Sequence, residues 1–317
     1  MSTVRRRTPV VGAAGWLVVA GASASGVVSL SLIDQVVVLG VAVVLPLALD
    51  GRWWWWEGAA GAVVVAFACP VGPAGVLVVP LGLVTACVAV DRVRQVGPLL
   101  FWRLHDGAEV LASLFAVVAA GALAVSRSGG SVLGVREPIV ELTAVHYIFA
   151  GSAALVLARL TLGETGDRGG RWARAGRAAV ACTAIAPPVV ALGFVTHAAV
   201  FQVGGAVLMT LGVWLTAGVH LRRALTSRPS VAGAFLLVSG LAVWVPMMLA
   251  VAWAAGQHWR IPVLSVPDMA RTHGLVNALA FVLCGLVGRR LGAPDGDGAG
   301  DGGGSGPIGE GSRAVPV

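Results

Sequence analysis

Glu141, Thr143, His146 and Tyr147 fall within seven residues at the start of ELTAVHYIFAGSAALVLARL, residues 141–160, a segment otherwise apolar enough to cross a bilayer. A positioned carboxylate or imidazole can serve as a general acid or base, and a histidine changes charge near physiological pH, so it can also couple movement to protons. A second segment, PDMARTHGLVNALAF, residues 267–281, carries Arg271, His273 and Asn277. Ionisable groups are costly within a membrane and usually face a cavity or a partner. The expected polar pocket is therefore Glu137, Glu141, Thr143, His146, Arg271, His273 and Asn277. The structural alternative is a packing lock, with Glu141 paired to Arg271 or Arg136 and His146 bonded to Asn277 or Thr143. Glu137 and Glu141 share a helix face, as do His273 and Asn277. His146 lies about 140° around the helix from Glu141, so one ligand touching both would sit at a helix–helix junction.

The elements that must carry these groups follow from composition. Hydrophobic residues make up 57% of the 317 and charged residues 12%, and the mean hydropathy is +0.87. One soluble core could not hide that much apolar surface, and the long uncharged runs match the roughly 20 residues of a membrane span. The fold class is an all-α polytopic transmembrane bundle of about ten spans: 11–30, 33–49, 53–69, 74–90, 107–125, 138–160, 176–195, 199–219, 232–255 and 271–288. The divisions at Ser31–Asp34 and Pro70–Pro73 are read as tight turns, because Gly58–Val90 is too long for one crossing.

The net charge is +7, yet every basic residue is arginine and the arginines lie between apolar runs. That distribution signals topology and not a nucleic-acid stripe. Ten spans place 17 arginines on the side of the N-terminus and four (Arg127, Arg136, Arg260 and Arg271) on the other, with Arg313 in the tail. Positive residues favour the cytoplasm, so both termini are expected there. Glu141 then lies about 5 Å and His146 about 12 Å below the outer surface. His197, Gln202 and His258 fall on the same outer side, while Asp106 and Glu109 read as inner boundary residues.

Residues 1–290 form the expected membrane domain, and 291–317 a flexible Gly-rich cytoplasmic tail with too little apolar surface to fold. The first apolar run is expected to be an uncleaved span, not a signal peptide, because many spans follow. The tryptophans of RWWWWE, residues 52–57, suit anchoring at the inner interface, and residues 91–106 suit the inner membrane surface. Cys69, Cys87, Cys182 and Cys284 are widely spaced within apolar runs, which predicts small packing residues and neither a disulfide framework nor a zinc site.

Two stretches, EPIVELTAVHYIFAGSA (residues 137–153) and MARTHGLVNALAFVLCGLVG (residues 269–288), resemble the signature stretches of the YndJ-like bacterial membrane proteins. The matching positions are Glu137, Pro138, Thr143, His146, Gly151, His273, Gly274, Asn277 and Ala278. The family pattern often has a second histidine two residues after the first, where this chain has Ile148, which weighs against a two-histidine metal site on that span. The resemblance implies architecture, candidate residues and a bacterial cytoplasmic membrane, and no reaction.

The expected partners are the lipid bilayer and a small-molecule or lipid ligand. The foremost expectation is a transporter or permease with a polar site in the outer half of the membrane. An intramembrane enzyme acting on a lipid, isoprenoid or quinone-like substrate is the alternative, with Glu141 or His146 as acid or base and His273 and Asn277 orienting the reacting group. The chain lacks a nucleophile elbow, a P-loop and an HExxH motif. A haem or metal protein ligated by His146 and His273 is a third reading, demanded by no spacing, and a scaffold is the plainest. The sequence specifies no cofactor.

Overall fold

Proline and glycine set most of the helix boundaries. The computed structural model describes residues 8–49, 53–97, 103–165 and 170–292. Arg5–Arg7, Arg52, Pro98, Arg168 and the Gly-rich tail beyond 292 lie outside the described residues, so the readings that rest on them do too. Among the described residues the chain is helical and has no strand, only an isolated bridge between Val132 and Val135. The helices are α1 Thr8–Ala24, α2 Leu32–Leu49, α3 Trp53–Ala68, α4 Pro73–Val96, α5 Leu104–Arg127, α6 Ile139–Thr165, α7 Gly170–Thr196, α8 Ala199–Thr226, α9 Val231–Gly256 and α10 Val266–Leu291.

Eight of these, α2 and α4 to α10, are long and apolar enough to cross a membrane. The other two are shorter, 17 residues in α1 and 16 in α3. The chain breaks between α3 and α4 at the expected Pro70–Pro73 turn, and between α1 and α2 over residues 25–31, earlier than the expected Ser31–Asp34, of which only Ser31 lies outside a helix. Ser31 caps α2 by accepting from Asp34 N while the Asp34 carboxylate accepts from Ser31 N at 2.7 Å, a reciprocal box that fixes where α2 begins. Residues 91–96 continue α4 and do not lie apart from it.

Consecutive helices run in opposite directions, as the meeting of their ends shows. At one end Arg92 of α4 pairs with Glu109 of α5 at 3.0 Å, and Glu109 takes Arg159 of α6 at 3.2 Å. There too Glu164 of α6 pairs with Arg223 of α8 and Arg289 of α10, and Arg290 donates to Leu47 O of α2 at 2.7 Å. At the opposite end Arg127 of α5 donates to Ala66 O and Cys69 O, 3.0 and 3.1 Å away, at the close of α3. Helix α2 threads the centre and is the most buried of the eight.

Of the tryptophan run, Trp54 and Trp55 face outward and Trp56 is in the core. The cysteines are free; Cys87 is exposed and the other three half-buried.

Three helices contain π turns: Gly40–Val44 in α2, Tyr147–Ala153 in α6, and Ala270–Gly274 with Val276–Leu283 in α10. Pro46 explains the first, since it has no N–H for Ala42 O. Helix α9 is interrupted at Val243, just before Pro246, and α7 carries Pro187 and Pro188 internally. All five of these helices surround the same chamber.

Small residues let α7 and α8 approach closely. A Cβ on Gly205 would stand 2.5 Å from Val190 Cγ2 and 2.9 Å from Val190 N, whereas one on Gly204 would meet nothing within 4 Å. Gly205→Ala is therefore expected to destabilise the bundle by roughly 1–3 kcal/mol through overpacking. Gly204→Ala is the matched control, and thermal unfolding in detergent reads the difference.

Candidate functional site

A half-enclosed chamber of about 270 Å³ lies among α2, α6, α7, α8, α9 and α10. Its walls are mostly apolar, including Val36, Phe149, Val190, Met209, Trp253 and Phe281. The polar lining is Thr143, His146, Tyr147, Gln202, His273 and Asn277, and among the described residues no Asp, Glu, Lys or Arg contributes. On α8 the lining runs from Gln202 to Val213, about 16 Å along the axis at the helical rise. The chamber thus occupies the part of the bundle nearer the end where α6, α8 and α10 begin.

The sequence-predicted residues divide into two groups. Thr143, His146, His273 and Asn277 line the chamber; Glu137, Glu141 and Arg271 do not. Glu137 caps α6, its Oε2 accepting from Glu141 N at 3.3 Å, where a carboxylate suits the unpaired N–H groups of a first turn. Glu141 is not part of the chamber lining and stands instead beside Asp34 of α2, with Arg127 nearby. Arg271 pairs with Asp268 at 3.2 Å on the exposed rim of α10.

Each chamber imidazole is held by its Nδ1. The His146 Nδ1 lies 2.7 Å from Leu142 O, one turn earlier on α6. The His273 Nδ1 lies 2.8 Å from Pro246 O, across on α9. A carbonyl oxygen can only accept, so both Nδ1 atoms carry the proton, and each ring in its neutral form presents a bare Nε2. His146 is exposed, and that exposure belongs to the chamber. Both rings line the same chamber.

Asn277 acts behind His273. Its amide nitrogen stands 3.2 Å from His273 Nδ1, and two donors cannot share that contact. The side chain belongs in the flipped orientation, with its oxygen accepting from Nδ1–H, because amide atoms are told apart by such partners. Its other amide atom is buried. Thr143 gives its hydroxyl proton to Ile139 O at 2.7 Å.

Gln202 closes the rim, donating to Gly193 O at 3.1 Å and accepting from His258 Nε2 at 2.9 Å. This joins α7, α8 and the segment after α9. Tyr147 packs edge-on against Phe115, ring centroids 5.3 Å apart.

Toward the other end lies a buried imidazole that the sequence pattern did not single out. His220 is fully buried, its Nδ1 2.9 Å from Ser239 Oγ, which in turn donates to Phe281 O at 2.8 Å. Glu164 and Arg289 were missed as well. An isolated histidine or arginine near a helix end resembles a boundary residue, and only the packing of α6, α8, α9 and α10 shows otherwise.

Helices of membrane-crossing length and hydropathy, gathered around an internal chamber, define a multi-pass membrane protein. Within that class the chain belongs to the YndJ-like family, whose model matches residues 35–281. No curated protein and no solved structure matches it. The matched region covers α6 to α9 whole and the larger part of α2 and of α10.

Proposed function

We propose that this protein is a membrane carrier for a small amphipathic molecule, bound within the chamber in the outer half of a bacterial cytoplasmic membrane. One observation carries this reading: an apolar cavity walled by six helices with a few convergent polar groups, the usual make-up of a small-molecule site. The arginine-rich helix ends would face the cytoplasm by the positive-inside rule, which puts the chamber on the outer side. Prolines in α7 and α9 and π turns in α2, α6 and α10 supply places where wall helices can bend. An uncharged lining favours an amphiphile over an ionic solute. It also favours binding over catalysis, since neither a carboxylate nor a cation lines the chamber to partner an imidazole.

Filling the chamber tests this. Ala206 is half-buried on α8 and forms part of the lining. Ala206→Trp is expected to abolish transbilayer movement of a fluorescent-tagged fatty alcohol in proteoliposomes while the protein stays folded by gel filtration. Equal movement with wild type, Ala206→Trp and empty vesicles would end the carrier reading.

A further inference from the structure

We propose that the chamber selects an uncharged head group bearing two hydroxyl donors, such as an alkyl diol or a monoglyceride, through the paired imidazoles His146 and His273. The inference rests on the carrier reading for the chamber's role and goes beyond it in naming the ligand's chemistry.

The chamber's hydrogen-bonding inventory is lopsided. The two imidazoles each spend Nδ1–H on a backbone carbonyl, at 2.7 and 2.8 Å. What each has left is an Nε2 lone pair, an acceptor. The Thr143 proton is committed to Ile139 O, leaving oxygen lone pairs. Gln202 has its oxygen taken by His258 and one of its two amide N–H groups by Gly193 O, and the remaining amide atom of Asn277 is buried. Tyr147 can act either way, and the indole of Trp253 is the only donor-only side chain in the described lining.

Each class of head group meets this inventory differently. A phosphate or carboxylate would meet acceptors and no cation. An ammonium would meet no carboxylate. A ketone, ester or ether oxygen brings no proton for either imidazole. Two hydroxyls bring two donors for the two Nε2 atoms and can still accept from Tyr147 or Trp253. A metal ion is poorly served, since no group of three His, Cys, Asp or Glu is gathered among the described residues. The apolar remainder of the chamber, from Val36 to Phe281, takes an alkyl chain.

The test is photolabelling of the full-length protein in lipid nanodiscs. The probe is a diazirine-bearing alkyl diol, and labelled peptides are located by mass spectrometry. Competitors are decane-1,2-diol, decan-1-ol, 1,2-dimethoxydecane, decanoate and decylamine at matched mole fraction in the bilayer. Labelling is expected on α6, α8 and α10 chamber residues, with the diol displacing the probe about tenfold better than the mono-alcohol, the value of one hydrogen bond, and the dimethyl ether weakest. If the dimethyl ether competes as well as the diol, or decanoate or decylamine competes best, the hydroxyl proposal is overturned while the chamber remains an amphiphile site. Absence of chamber labelling, with protein intact by gel filtration, overturns both this proposal and the carrier reading. The comparison of competitors is made on wild-type protein, so it does not depend on a variant folding.

Discussion

Glu164→Ala is expected to be among the most destabilising single substitutions in the chain, at about 3 kcal/mol. Glu164 is the shared counter-charge of Arg223 and Arg289. Arg289 is only 8% exposed, and its Nε and Nη2 have no hydrogen-bond partner. Removing the carboxylate leaves a buried guanidinium with neither charge nor solvent to compensate it, beside Arg223, a second cation. Solvent reaches Glu164 in part, which keeps the figure at the lower end of what breaking a buried pair costs. Glu164→Gln keeps the shape and loses the charge, so an intermediate loss is expected. Asp268→Asn breaks the exposed Arg271 pair and serves as the contrast, with an effect below about 1 kcal/mol. Thermal unfolding in detergent orders the three, and an unchanged midpoint for Glu164→Ala would refute the assignment.

The largest effect on binding is expected from the imidazoles. His146→Leu or His273→Leu alone should weaken displacement by decane-1,2-diol about tenfold, and the double variant about a hundredfold, one hydrogen bond being lost at each step. Near-additivity is the informative outcome, because it means that each ring holds its own hydroxyl. If either single variant lost as much as the double, the rings would act as one unit on a single group. His273→Leu also leaves Pro246 O and Asn277 without their partner, so its unfolding temperature must be compared with that of His146→Leu before binding is read. Displacement by 1,2-dimethoxydecane should be nearly the same in all four proteins, since it offers no donor to lose.

Helix existence and order were plain in the sequence because hydropathy over twenty residues is a strong signal. The chemistry of the candidate site was legible one helix at a time. His273 and Asn277 meet as their four-residue spacing implies. His146 and Glu141, five apart on one helix, face different neighbours, one the chamber and the other Asp34 on α2. That second partner could not be foreseen, because Asp34 sits in a turn whose capping role already accounts for it. The separation of Arg271 from Glu141 has the same origin: Asp268, three residues before Arg271, is nearer than any distant carboxylate. His220 and Glu164 were hidden because their meaning lies in what α8 and α10 bring to them, and spacing within a single helix carries none of that.

The π turns of α6 and α10 make chamber geometry depend on residue count as much as on residue type. Such a turn holds one residue more than an α-helical turn, as if a single insertion had been absorbed without breaking the ladder. Deleting one residue from the ordinary α-helical stretch that begins at Cys284, whose turns hold no spare residue, would rotate everything before it by about 100° relative to Arg289. His273 and Asn277 would then swing off the chamber while Arg289 kept its place by Glu164. In that sense the site is indexed like a dial, and one codon is its smallest click.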